Sequence, residues 1–355
     1  MKPLEKAKKF CQDYEIDIPI LMAPMAGACP PELAAAISNA GGIGSCGALL
    51  MTPKQIISWV SDFKFKSNGS FMLNNWIPGP EPERNARHEA ALRSFLTKFG
   101  PEVSAEAADT KPISFSKQCD AMLSGRPQVI SSIMGLYPST FVRQMKQVGT
   151  KWFATVTSVS EALMAEQAGA DALVVQGSEA GGHRGNFLSD YNQSAGLVAL
   201  VPAVCDAVSI PVIATGGIAD SRGVSAALML GASAVQIGTG FLRTPEASIS
   251  PAWADAIKKT RPEDTKITTS FSGKPGRAIE NKYMIEAHNN SNPTPAPYPI
   301  QGSLTKEMCD QAKKSNNIDH MQAWAGQAAC LARSEAAHEL VLKIWAEAEV
   351  FFGKP

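Results

Sequence analysis

An α/β fold closed into a (β/α)8 barrel is what the sequence predicts, and three observations lead there. Short apolar runs alternate with helical stretches eight times before residue 240. The apolar runs do not alternate with polar residues, which suits parallel strands covered on both faces. Eight successive βα units favour ring closure, with a doubly wound open sheet as the alternative.

In chain order, "IPILMA" (18–23) is the first strand, followed by "PPELAAAISNAGG", a helix opened by prolines and closed by glycine. "IGSCG" (43–47) is the second strand and "TPKQIISWVSDF" its helix. "SFMLNN" (70–75) is the third, before the charged, helically periodic "EPERNARHEAALRSFLTKFG". "PQVISSI", "KWFATV", "DALVVQ", "PVIATGG" and "SAVQIG" complete the eight strands. Between them, "STFVRQMKQVG", "SVSEALMAEQAGA", "SAGLVALVPAVCDAV" and "DSRGVSAALMLGA" read as helices. The pattern changes beyond residue 241: strand-like residues lead into an Asn/Pro-rich run (289–299), expected as a surface loop or lid. From Leu304 to about Phe352 helical periodicity returns. Residues 1–240 are therefore expected to form the barrel, completed by C-terminal helices within 319–355, with 241–318 as an extension or lid over the substrate pocket.

The chain has 355 residues, 33 basic and 33 acidic, with a pI near 7.0. That balance gives no electrostatic reason to expect nucleic acid or an anionic membrane as partner, and a small molecule is the better expectation. The basic start resembles a signal peptide, but Glu15 and Asp17 interrupt it, and Pro19 and Pro24 break the apolar run. No segment approaches the roughly 18 uncharged apolar residues of a membrane helix. Seven scattered cysteines form no CxxC or Cys/His zinc spacing, so no metal site is expected and a reducing, cytoplasmic compartment is.

Residues 42–47, "GIGSCG", match GxGxxG, with Asp62 twenty residues after Gly42. A helix precedes the motif, however, where a dinucleotide loop needs a strand, so it reads as a barrel strand. "ATGGIAD" (214–220) and "QIGTGF" (236–241) are the stronger signal. At the C-terminal ends of strands seven and eight, amides at Gly216, Gly217, Gly238 and Thr239 can hold a phosphate. That leaves "VVQGSEAGGHRG" (174–185), at the end of strand six, free to carry His183 into a pocket above the barrel.

"PILMAPMAG", "NAGGIG", "VQGSEAGGHRG", "PVIATGGI", "QIGTGF" and "QAWAGQAA" together resemble the FMN-dependent nitronate monooxygenases, formerly 2-nitropropane dioxygenases. The likeness is to their class I, which includes propionate 3-nitronate monooxygenases, and runs from about residue 16 to 330. It implies a TIM barrel with an added, mainly helical substrate-binding part, and a monomer or homodimer. It also implies oxidation of alkyl nitronates by FMN and O2, through a flavosemiquinone, to a carbonyl product and nitrite. Carried over by position, Gly217, Gln236, Ile237, Gly238 and Thr239 would hold the FMN phosphate end. Met25 would pack under the flavin, Asn74 would contact it through its amide, and Gln176 and Gly181 would line the ring and ribityl chain. His183 matches the catalytic histidine, as general base towards a neutral nitroalkane or as stabiliser of the nitronate's charge. Where the class I pattern often places a histidine at the end of strand four, this chain has Ile133, which makes the pocket less polar.

His88, His288, His320 and His338 are given no role, Trp324 is read as packing that seals the barrel top, and Arg184 as solvent-facing. Two other functions remain open from sequence. One is a flavin-dependent NAD(P)H oxidoreductase of the quinone reductase or enoyl-acyl carrier protein reductase type, although no nicotinamide motif is visible. The other is a non-catalytic phosphate-ligand sensor on a barrel scaffold.

Overall fold

The computed structural model describes residues 2–109, 112–188 and 194–353. Its centre is a ring of eight parallel strands. These are β1 (Ile20–Met22), β2 (Gly44–Gly47), β3 (Phe71–Trp76), β4 (Val129–Ile133), β5 (Lys151–Val156), β6 (Ala172–Gln176), β8 (Val212–Thr215) and β9 (Ala234–Ile237). They pair in the order β1-β9-β8-β6-β5-β4-β3-β2, and a parallel bridge from Leu21 to Ile43 joins the two ends. The expected (β/α)8 barrel is therefore present, and "GIGSCG" contributes a strand to it. At Gly44 a Cβ would lie 2.2 Å from the Ala34 carbonyl oxygen, so glycine there lets helix and strand meet.

α1 (Pro3–Asp13) plugs the bottom of the ring. Its Phe10 packs on Tyr14 at 4.5 Å between ring centroids, and Tyr14 meets Phe153 edge-on at 4.9 Å. Helices α2 (Pro31–Asn39), α3 (Pro53–Lys66), α5 (Phe115–Ser124), α6 (Ser139–Gln147), α7 (Val159–Gln167), α8 (Leu197–Ala207) and α9 (Ser221–Met229) follow the strands. The C-terminal α13 (Ala337–Val350) packs on α2 and α9.

Two expectations about helices need correction. The charged stretch after the third strand forms α4 (Ala86–Leu96), which leaves the barrel and packs against α12 (Ile300–Lys314). Its place beside α3 is taken by α5, from a segment not anticipated as helix. Secondly, residues 318–336 are short 3-10 turns and extended chain, although the tail reads as helical throughout. Leu92, Phe95 and Leu96 of α4 join Phe271, Tyr283, Ile300, Leu304 and Met308 in a second apolar core above the barrel. Beside it lie α11 (Lys282–Ala287) and a three-stranded antiparallel sheet, β10 (Thr265–Thr268), β11 (Gly276–Ile279) and β7 (Gly182–His183), while α10 (Pro251–Lys259) buries Ile257 in a separate cluster with Leu242, Ile279 and Ala323.

The inner face of the ring explains where a site can form. Successive inward residues of one strand lie two apart. Met72, Phe153, Val174, Ile213 and Ala234 belong to the apolar interior shared with Phe10 and Tyr14. Two residues on, each of these strands presents a polar group: Asn74, Thr155, Gln176, Thr215 and Gln236. All five border a cavity at the C-terminal mouth. A polar top layer above an apolar plug is the arrangement in which barrel sites are built.

Candidate active site

The cavity has a volume of about 550 Å³. It gathers residues from across the sequence: Met25, Asn74, Gln176, Gly181, His183, Gly217, Gln236, Gly238 and Thr239 all border it. Ile237 alone of the predicted site residues does not border it. Its side chain is fully buried in the core between strands and helices, because residue 237 follows the inward-facing Gln236 and must point outward. Any part it has in binding is through its backbone.

The glycine turns after β8 and β9 form one corner. Gly216 and Gly217 have φ of +115° and +67°, and Asp220 then caps α9 by accepting from the Arg222 and Gly223 amides at 3.1 and 3.3 Å. The N–H groups of Gly216, Gly217, Gly238 and Thr239 have no acceptor among the described residues. Amides left free beside a helix N-terminus form a cradle for an oxyanion. The donor set therefore fits the phosphate of a flavin nucleotide. Thr239 Oγ1 accepts from the Gly326 amide at 3.0 Å, which ties the corner to the "QAWAGQAA" segment.

Asn74 and Gln176 have different partners. Asn74 donates to Ser131 Oγ at 2.9 Å, and its carbonyl oxygen has no partner among the described residues. Gln176 instead braces the histidine loop, donating to the His183 carbonyl at 3.1 Å and accepting from the Gly185 amide at 2.8 Å.

His183 lies on β7, opposite Gly276 of β11. A Cβ at Gly276 would come within 2.8 Å of the Trp324 ring, so the glycine lets that indole approach the strand closely. The imidazole is held between Trp76 and Trp324, each at 4.7 Å between centroids, and its Nε2 is 2.7 Å from Ser272 Oγ. Nδ1 has no partner among the described residues. Burial, with a smaller contribution from the Lys274 charge, pushes the imidazole pKa down to about 3, so the ring is neutral at physiological pH. Trp324 does pack at the barrel top as expected, but it also forms a wall of the cavity.

Gly181 does not provide clearance for a ligand. A Cβ there would sit 2.4 Å from the Gly326 nitrogen and 2.6 Å from the Ala325 carbonyl carbon. Because both neighbours are backbone, Gly181→Ala is expected to cost about 1–3 kcal/mol or more of stability. A lower urea midpoint at unchanged m-value would show it; an unchanged midpoint would contradict the packing.

Arg184 is not solvent-facing. It is only 2% exposed; Nη1 donates to the Gly177 carbonyl at 2.7 Å and its amide to the Pro275 carbonyl at 2.9 Å. Burial and the neighbouring Arg277 lower its pKa to about 10. Arg277 in turn donates to the Ser178 carbonyl at 3.0 Å. Two buried guanidiniums thus fasten the loop that carries His183. A cation between a histidine and a glycine reads as surface in a sequence, since its acceptors are backbone carbonyls that no residue letter reveals. Ser272, Trp76, Tyr298 and Thr215 also border the cavity without having been anticipated. For Thr215 the signal was present: a polar residue ends a strand at an inward position. All seven cysteines are free.

The nitronate monooxygenase family model matches residues 8–347. A probable nitronate monooxygenase of Bacillus subtilis (strain 168) is 38% identical over 327 residues, covering 90% of this chain and 92% of the relative. One from Staphylococcus aureus (strain MSSA476) is 35% identical over 341 residues, covering 95% and 96%. Among solved structures, nitroalkane oxidase from Streptomyces ansochromogenes superposes with a TM-score of 0.87 at 30% identity, covering 96% of this chain and 99% of that one. FabK from Thermotoga maritima does so at 0.76 and 28%, covering 97% of each chain.

Proposed function

The chain belongs to the nitronate monooxygenase family, and we propose that it binds FMN in the cavity at the barrel mouth and oxidises alkyl nitronates, propionate 3-nitronate among them, with O2. The observation that carries this reading is convergence. Unpartnered amides of two glycine turns and a neutral, part-buried histidine border one cavity.

When bound, the flavin supplies the redox chemistry, taking electrons from the nitronate and passing them to O2, with a carbonyl product and nitrite. The chain's residues position and shield. Gly216, Gly217, Gly238 and Thr239 would hold the phosphate, Gln236 and Asn74 would orient the ring system through their amides, and Met25 would pack beside it. We assign residues 241–318 to the substrate side of the pocket, with α4 as part of the same cap. Ser272 Oγ is close enough to the Lys274 carbonyl, at 3.1 Å, to donate to it. With its proton placed there it accepts from Nε2–H and leaves Nδ1 bare, the form that can receive an α-proton from a nitroalkane. A preformed nitronate needs no such transfer.

Two measurements test this. FMN-loaded protein is expected to consume oxygen with ethylnitronate or propionate 3-nitronate in the absence of NAD(P)H; no uptake with either would sink the reading. The pH profile is the second. Since burial lowers the His183 pKa, the protonated ring accumulates only as pH falls through about 3. The kcat/KM for a preformed nitronate is therefore expected to show no His183 ionisation between about pH 5 and 9, whereas an unperturbed histidine would titrate near 6.5. An inflection near 6.5 that disappears in His183→Asn would contradict the burial.

A further inference from the structure

We propose that Gln118, on the outer helix α5, is a positioning residue for the reaction: it fixes the loop at the cavity mouth and, through Asn75, sets the Trp76 ring against His183. This rests on the reading of the same site in which His183 accepts the proton of a neutral nitroalkane.

Gln118 is only 3% exposed and does not border the cavity. Its Nε2 nevertheless donates to three carbonyls of the loop after β2, those of Ala48 at 3.0 Å, Leu49 at 3.0 Å and Met51 at 2.8 Å. Its Oε1 accepts from Asn75 Nδ2 at 3.0 Å. A primary amide has two hydrogens to share among those carbonyls and an oxygen for the neighbouring amide, so each polar atom is used. The reversed amide would set its oxygen against three others, which fixes the side chain in one pose.

Both sets of partners lead to the cavity wall. Leu49 and Leu50 of the held loop border it, and Leu50 is 69% exposed, so its packing does little to hold the loop. Asn75 follows the inward-facing Asn74 on β3 and therefore points outward to the helix layer, where it is fully buried. Its Oδ1 accepts from the Trp76 amide at 2.9 Å. Trp76 ends the strand, borders the cavity and meets the imidazole edge-on, with ring centroids 4.7 Å apart. Two buried amides in series thus run from α5 to the wall against which His183 rests.

Proton transfer needs its two partners within hydrogen-bond reach, and a shift of about 1 Å caused by a remote substitution can cost about a hundredfold. Without Gln118, Asn75 is unsupported and the imidazole loses a fixed wall on its Trp76 side. A preformed nitronate has no proton to give and is affected less.

The test uses FMN-loaded Gln118→Met and Asn75→Ala, singly and together, on nitroethane and ethylnitronate. Rates are expressed per bound flavin, so lost folding alone does not change them. Each single variant is expected to lower the ratio of kcat/KM on nitroethane to that on ethylnitronate by about tenfold, and the double variant to lower it no further, because the two residues act in series. Gln118→Glu, of the same shape but with no hydrogen to offer the loop when ionised, is a second variant at this position and is expected to lower the ratio as well. In flavin-free protein, the near-ultraviolet circular dichroism band that Trp76→Phe removes is expected to weaken in both single variants. A wild-type ratio in flavin-replete variants with a lowered urea midpoint makes Gln118 purely structural and overturns the proposal. Losses that multiply in the double variant overturn it too. No oxygen uptake by the wild-type protein with either substrate overturns the enzyme reading, and this role with it.

Discussion

The His183→Asn enzyme is expected to lose at least about a hundredfold in kcat/KM on neutral nitroalkanes, the low end of what a positioned proton acceptor contributes. The side chain is held by Ser272 at 2.7 Å and clamped between two indoles, so its Nδ1 cannot be replaced by another nearby group. Asparagine keeps a polar group in the slot, and flavin content is expected to be unchanged because His183 is not among the residues proposed to hold the phosphate. On preformed nitronates, where no proton is removed, the loss is expected to be much smaller. Oxygen-electrode assays on matched nitroalkane and nitronate pairs separate the two. Equal losses on both would mean that His183 contributes binding, not proton transfer.

Gly216→Ala is expected to strip the flavin. At φ +115° the residue sits where side chains are rarely tolerated, and the added Cβ would meet the Ala180 nitrogen at 3.0 Å and the Gly177 carbonyl at 3.3 Å. Strain of this kind costs about 1–3 kcal/mol and persists only where the surroundings enforce it. Here the turn yields more easily, moving the Gly216 and Gly217 amides out of register with the phosphate. The purified variant is expected to be pale, with an FMN Kd raised about tenfold or more in a fluorescence titration and turnover partly restored by excess FMN. Full flavin occupancy at wild-type affinity would place the phosphate elsewhere.

Much of this was legible in the sequence because barrel strands and glycine turns act locally. Eight apolar runs separated by helices left few arrangements, and "ATGGIAD" with "QIGTGF" marked adjacent strand ends. Other features were hidden where long-range partners decide. α4 has the periodicity of a barrel helix, yet it packs on α12, more than 200 residues away in the chain. Ile237 shares a motif with Gln236, but strand alternation turns it into the core. Arg184 and Ser272 act through backbone carbonyls and through a histidine 89 residues distant, contacts that no local pattern encodes. The need for glycine at 181 is equally non-local: the space its side chain would take is filled by the backbone of Ala325 and Gly326.

Anaerobic mixing of FMN-loaded protein with ethylnitronate and, separately, with NADH tests the central claim most directly. The flavin absorbance is expected to change on mixing with the nitronate, at a rate no slower than turnover, and to remain unaltered by NADH on that timescale. Rapid bleaching by NADH with no response to the nitronate would contradict the assignment and make the protein a nicotinamide-dependent flavin reductase.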